Sequence, residues 1–271
     1  MKRELLHLVR ETSELLKVLA ERGLVPLPEP LEPEPQQAAS EPVAVPEPVG
    51  PAVALPAPRT LLELAPSDPA LQESKETRLS FIETQAKACR ACRLASTRRN
   101  VVFGEGSCGA RVLLVGEGPG ADEDRSGRPF VGRSGQLLTR MLQAVGLARE
   151  NVYIANIVKC RPPNNQDPEP DEMASCRAFL DAQIETINPD VIVSLGRVSA
   201  QSLLNERSAL TALRSRVHKL GRRDLLVTYH PAFLLRNAVK KREAWSDLLM
   251  LADLLVQRGI ARASSAPWWK A

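Results

Sequence analysis

The sequence predicts an α/β fold, a three-layer αβα arrangement around a central, mainly parallel four-stranded sheet. Three observations predict it. Four short apolar runs have strand character, helix-length stretches separate them, and each run ends in glycine or a polar residue. Strands alternating with helices imply a mainly parallel sheet covered on both faces. In such sheets ligands bind beyond the carboxyl ends of the strands.

Arg111–Val115 (RVLLV) reads as a buried strand ending in Gly116, and Gln136–Val145 as a helix. Val152–Val158 (VYIANIV) reads as the second strand and carries Asn156. Residues 170–187 form a second helix that opens on Pro170-Asp171-Glu172, a proline and two acids suited to a helix N-terminus. Asp190–Leu195 is the third strand, ending in Gly196, and residues 198–206 are helical. Leu225–Tyr229 is the fourth strand and ends in His230-Pro231. The last helix, residues 239–258, places Trp245, Leu248, Leu249, Ala252, Leu255 and Val256 on its apolar side.

The rest of the 271 residues divides into two further segments. Residues 1–25 hold an amphipathic helix over 3–22, with Leu5, Leu8, Val9, Leu15, Leu16 and Leu19 near helical spacing and Gly23 as a stop. Such a helix could dock a protein partner, pack on the body or self-associate. Residues 26–75 read as a disordered Pro/Glu-rich linker, since 13 of the 22 prolines fall within 26–69. The folded domain is then 76–271.

Charge follows the same division. The net +4 conceals a −6 contribution from residues 26–69, and residues 70–271 carry 30 basic against 21 acidic side chains. The mean thus hides a basic body tied to an acidic linker. No apolar run approaches the ~20 residues that a membrane-spanning helix needs. The first 25 residues lack the apolar core of a secretory signal. The expectation is a cytoplasmic protein in a reducing compartment, without a membrane partner and monomeric. Five cysteines, an odd number, cannot all enter a disulfide framework.

Three motifs carry chemistry. Gly116-Glu117-Gly118-Pro119-Gly120 follows the first strand, where glycines let the backbone approach a ligand. It is neither a P-loop nor a dinucleotide fingerprint, because no Gly-Lys-Ser/Thr follows and Asp122-Glu123-Asp124 would repel a pyrophosphate. Cys89 and Cys92 form a C-x2-C pair, Cys160 ends the second strand and Cys176 lies in the next helix, while Cys108 stands apart. Four thiolates can hold zinc or an iron–sulfur cluster, and spacing alone leaves the choice open. His230, in HPAFLLRN, occupies the ligand-binding edge of the sheet.

In series, GEGPGADEDRSGRPFVGRSGQLL, NIVKCRPPNNQDPEPDE and HPAFLLRN strongly resemble the family 4, iron–sulfur uracil-DNA glycosylases. The resemblance covers roughly residues 80–258 and leaves the N-terminal segments outside. It implies an enzyme that flips uracil out of single- or double-stranded DNA and hydrolyses the N-glycosidic bond. The product is an abasic site in base excision repair. It also implies a [4Fe–4S] cluster, mainly structural, on Cys89, Cys92, Cys160 and Cys176, with no role for Cys108.

The same resemblance distributes the site. Phe130 would stack on the flipped base, and Asn156 would pair with uracil O4 and N3–H. His230 would donate to O2, where negative charge develops. Glu117 belongs to the water-handling loop, with the backbone of Gly116 and Gly118 near the base. Glu123 would crowd the C5 methyl of thymine, and Asn165 matches a position tied to catalysis. Whether Glu117 or Asn165 positions the attacking water stays open, and Asp122 and Asp124 read as solvated loop residues. Arg125, Arg128, Arg133, Arg236 and Lys240-Lys241-Arg242 are candidate phosphate contacts. Leu234 and Leu235 are either a wedge for the flipped-base gap or helix-core residues. The competing function is a non-catalytic nucleic-acid-binding or scaffold protein that retains the fold.

Overall fold

A computed structural model describes residues 74–260. The helix expected at 3–22 and nearly all of the 26–75 linker lie outside the described residues. Helix α1, Lys75–Ala88, begins at Ser74, whose hydroxyl accepts the Thr77 amide at 3.2 Å. A 3-10 turn at Arg93–Ser96 then leads to a two-residue strand β1, Glu105–Gly106.

The parallel core is built by β2, Val112–Gly116, β3, Tyr153–Asn156, β4, Val191–Leu195, and β6, Arg223–Thr228. Every residue of these strands is buried, as expected for strands covered on both faces. Between them lie α2, Ala121–Ser126, α3, Arg133–Gln143, α4, Pro170–Ile187, α5, Arg197–Leu204, and the short α6, Leu210–Leu213. Strand β5, Val217–Leu220, precedes β6, and α7, Pro231–Arg236, and α8, Lys241–Gln257, follow it.

The sheet has six strands rather than the expected four, in the order β1-β3-β2-β4-β6-β5. The four expected strands are its parallel centre, and β1 and β5 pair antiparallel at the two edges. The edges are hard to read locally. Two residues show no period, and Val217–Leu220 alternates exposed and half-buried positions within a basic stretch. His218 therefore sits on an edge strand.

Strand alternation sorts the core into two layers. Leu113, Val115, Tyr153, Ile192, Leu225 and Val227 face one side and pack with Leu79 of α1, Leu180 of α4 and Leu203 of α5. Val112, Leu114, Ile154, Val193 and Leu226 face the other and pack with Leu138 of α3, Leu234 of α7 and Leu251 of α8. The three-layer expectation therefore holds for the described residues. Leu234 belongs to the core at 2% exposure, whereas Leu235 is 38% exposed.

The chain runs from β2 to β3 on one side and returns to β4 on the other. The carboxyl end of β2 is thus the point where the strand order reverses, the usual position of a ligand crevice.

Candidate active site

The crevice is assembled by register. Gly116 pairs with Asn156 across β2 and β3, and the Ile157 amide donates to the Gly116 carbonyl at 2.9 Å. On the other side, the Gly196 amide donates to the Thr228 carbonyl, which brings the end of β4 beside His230. Gly196 has φ +97°, and a Cβ there would lie 3.0 Å from His230 Cβ. The result is a cavity of about 400 Å³. Glu117, Gly118, Glu123, Phe130, Asn156, Asn165 and His230 all line it, as do Asp167 and Arg197.

Gly116 lies behind this lining. A Cβ there would come within 2.4 Å of Asn156 Oδ1 and 2.6 Å of Phe130 Cζ, so glycine lets the amide and the ring approach the strand end. Phe130 adopts φ +51°, an uncommon conformation for a bulky residue. Arg149 holds it there by donating to the Phe130 carbonyl at 3.0 Å and to that of Pro129. The Phe130 ring lies 5.5 Å from the His230 ring, centroid to centroid.

Asn156 is 1% exposed, and its Oδ1 is buried without a hydrogen-bond partner. Such an atom costs roughly 1–3 kcal/mol unless a ligand or water meets it. His230 caps α7, with Nδ1 accepting the Ala232 amide at 3.2 Å. An accepting Nδ1 in a neutral ring leaves the proton on Nε2. Burial and Arg236 pull the His230 pKa down to about 4, so the ring is neutral near pH 7.

Glu117 behaves in the opposite sense. Burial, then the nearby Asp167 carboxylate, push it up to about 7. Glu123 has both oxygens engaged, accepting from Gly120 at 3.1 Å, Val131 at 2.9 Å and Gly132 at 3.0 Å. It thereby ties the loop around Phe130 to α2. Asn165 has φ +55°, and its Oδ1 accepts Arg161 Nε at 2.7 Å.

Cys89, Cys92, Cys160 and Cys176 line a second, small cavity together with Arg98 and Lys159. Arg98 donates to Cys160 Sγ at 3.1 Å and the Lys159 amide to Cys176 Sγ at 3.3 Å. Arg93, next to Cys92, pairs with the buried Glu172 of α4 at 2.6 Å. Burial pushes the Cys176 thiol up to about 11 and raises Cys92 and Cys160, so a bound metal must displace these protons. Among the described residues, no three Cys, His, Asp or Glu side chains converge as a single metal ion requires.

A family model described as the uracil DNA glycosylase superfamily matches residues 103–249. The chain belongs to the uracil-DNA glycosylase superfamily. It is 48% identical over 166 residues to the type-4 uracil-DNA glycosylase of Thermotoga maritima, covering 60% of this chain and 86% of that protein. It is 42% identical over 184 residues to the type-4 enzyme of Archaeoglobus fulgidus, covering 65% and 92%. Similarity to the type-5 uracil-DNA glycosylase of Pyrobaculum aerophilum is lower, 32% over 145 residues, covering 47% and 63%.

In this uracil-DNA glycosylase superfamily member, the residues expected around the base line one cavity, with Gly116 directly behind it, and the four expected cysteines line another. Asp124 departs from expectation. It is 3% exposed rather than solvated, and its Oδ1 accepts the Arg99 and Asn100 amides at 2.8 and 3.3 Å. Asp122 stays at the surface beside Arg125. Arg128 is engaged with Glu105 and Lys240 with Glu243, whereas Arg236 stands on the cavity rim. Cys108 donates to Glu76 at 2.6 Å, away from the other four. Sequence reasoning passed over Asp167 and Arg197, although Arg197 directly follows the Gly196 strand end. Among the described residues, no helix is long and apolar enough to cross a membrane.

Proposed function

We propose that this chain is a monofunctional uracil-DNA glycosylase acting on a uracil flipped into the β2 crevice, leaving an abasic site for base excision repair. The buried, partnerless Oδ1 of Asn156 beside Phe130 carries the reading. Uracil N3–H supplies the missing donor and O4 accepts the amide N–H. Cytosine presents an acceptor at N3 and a donor at its exocyclic nitrogen, so it leaves both amide atoms unpaired. A site built to meet a hydrogen bond rejects such an analogue strongly. Phe130 supplies the stacking surface, and Gly116 and Gly118 let the backbone come close to the base.

His230 donates from Nε2 to uracil O2. The leaving uracil becomes an anion, and a fixed donor is worth most where charge develops. A neutral donor keeps its proton, in keeping with a pKa of about 4. Glu117, once ionised, takes the proton from the attacking water, and its pKa of about 7 suits a base working near neutrality. Asn165, with Oδ1 held by Arg161, helps to orient that water. Glu123, anchored by three amides, is the rigid wall toward the C5 methyl of thymine.

Cys89, Cys92, Cys160 and Cys176 would hold a [4Fe–4S] cluster. Four thiols and two flanking cations suit an anionic cluster. Bound there, the cluster supplies a covalent tie between the 89–92 segment, the end of β3 and α4. We further assign the chain to the bacterial cytoplasm, acting as a monomer on single- or double-stranded DNA.

The decisive experiment incubates cluster-loaded full-length protein with a uracil-containing oligonucleotide. Free uracil and an unbroken abasic strand are expected. Intact uracil-DNA would overturn the reading. The N156A variant should lose at least ~100-fold in rate, about 2.7 kcal/mol of barrier. Near-normal rates in that variant would remove Asn156 from the site.

A further inference from the structure

Thr228 and Tyr229 lead from β6 into His230, and the side chains of both are bonded to α8. Tyr229 OH donates to Glu243 Oε2 at 2.6 Å, and Thr228 Oγ1 donates to Asp247 Oδ2 at 2.8 Å. Arg214, which follows α6 and is buried, donates to the same oxygens, from Nη1 at 2.9 Å and from Nε at 2.8 Å. Its Nη2 donates to the Glu243 main-chain carbonyl at 2.9 Å. The guanidinium carbon lies 4.0 Å from the centre of the Tyr229 ring. That ring stacks on Phe233, part of the cavity lining, at 5.1 Å between centroids.

We propose that Arg214 is a positioning residue for His230: through Thr228 and Tyr229 it fixes the β6–α7 turn from which the imidazole is aimed at the base. The His230 ring is bonded within its own turn, to the Ala232 amide, so its direction follows the backbone that carries it. The Gly196 amide holds that backbone from β4 by bonding the Thr228 carbonyl, and Arg214 holds it from α8. Arg214 is not part of the cavity lining and acts through these neighbours.

Stability alone is a poor reason for the arrangement. Asp247 Oδ1 is buried without a partner, and a buried ion pair with an unmet polar atom is often no more stable than apolar packing of the same volume. What the guanidinium supplies is direction. Its nitrogens bond in fixed orientations within one plane, which a lysine ammonium does not reproduce.

The inference rests on His230 donating to uracil O2, and the test separates the two ideas. Fluorine at C5 stabilises the departing base anion by electron withdrawal and is close to hydrogen in size. A donor at O2 therefore matters less for 5-fluorouracil than for uracil. Single-turnover release of each base from DNA is measured at saturating enzyme for the cluster-loaded full-length wild type, R214K, Y229F and H230A. The H230A loss should be ~10-fold larger on uracil than on 5-fluorouracil. R214K and Y229F should repeat that pattern in weaker form, with uracil release down ~10-fold and 5-fluorouracil release down by no more than ~3-fold. Y229F removes only a hydroxyl and keeps the ring packing, so it decides the matter should R214K fail to fold. Wild-type rates on uracil, or equal losses on the two bases, in either folded variant would overturn the inference; a preserved H230A pattern would then leave the His230 role intact. Equal losses in H230A would overturn the O2 assignment, and the inference with it.

Discussion

Lys159 Nζ lies 2.9 Å from the main-chain carbonyl of Asn156 and is fully buried, with Gln183 Oε1 as its other partner at 2.5 Å. The Lys159 amide simultaneously donates to Cys176 Sγ. One residue therefore joins Asn156 to the cysteine cavity. Replacing it with methionine preserves much of the volume but removes both donated hydrogen bonds. It also ends the burial of a cation, which offsets part of the stability loss. The catalytic loss should exceed the stability loss: K159M is expected to fall at least ~10-fold in kcat, about 1.4 kcal/mol. Parallel activity and thermal unfolding measurements check this, and an unfolded variant or an unaffected kcat would contradict it.

Gly116 tests the same floor from below. Its φ does not lie in the left-handed region, so alanine meets no backbone penalty there. The added methyl instead strikes Asn156 Oδ1 and Phe130 Cζ. Overpacking of this kind costs about 1–3 kcal/mol of stability. G116A should therefore stay folded at moderate temperature yet lose most uracil release, and its KM should rise as the base is pushed from its seat.

The raised Glu117 pKa has a stability consequence with a definite sign. The folded value, about 7, lies above the ordinary 4.5. Below pH 4.5 the group is neutral in both states and imposes no penalty. Between the two values the unfolded chain releases the proton and the folded one keeps it, so stability falls as pH rises. Above pH 7 the loss is complete. E117Q escapes it and should be more stable than wild type at pH 8, by on the order of 1–3 kcal/mol after allowing for solvent screening, and so unfold at a higher temperature. At pH 4 the two should nearly coincide. Calorimetry at both pH values decides the point.

The cysteines separate by place in the fold. C176S should abolish the absorbance near ~400 nm expected of an iron–sulfur protein and lower the unfolding temperature by several degrees. C108S removes a thiol bound only to Glu76 and should retain both. Equal spectra for the two variants would displace Cys176 from the ligand set.

Much of the fold was legible because its signals are local. RVLLV and DVIVSL are short runs rich in valine, leucine and isoleucine, too short for a typical helix, and the Gly116 and Gly196 that follow them mark the end of the sheet where a ligand fits. The Pro170-Asp171-Glu172 start of α4 was read at its observed first residue, Pro170. The edge strands were not legible, since Glu105–Gly106 acquires strand geometry only by pairing with Ile154 and Tyr153. Asp124 looked solvated in an acidic run because the Arg99 and Asn100 amides that bury it lie 25 and 24 positions away.

The sequence by itself determined the parallel centre of the sheet, the glycines that open its edge, and the superfamily. Each depends on periodicity or on short motifs, whose chemistry is complete within a few residues. Only the tertiary structure decided that Asn156 Oδ1 is buried without a partner and that Glu117 lines one cavity with Asp167. It also decided that Lys159, in the lining of the cysteine cavity, bonds to the main chain of Asn156 in the other. Burial and electrostatic coupling are sums over neighbours contributed by different strands and helices, and no local stretch of chain contains those sums.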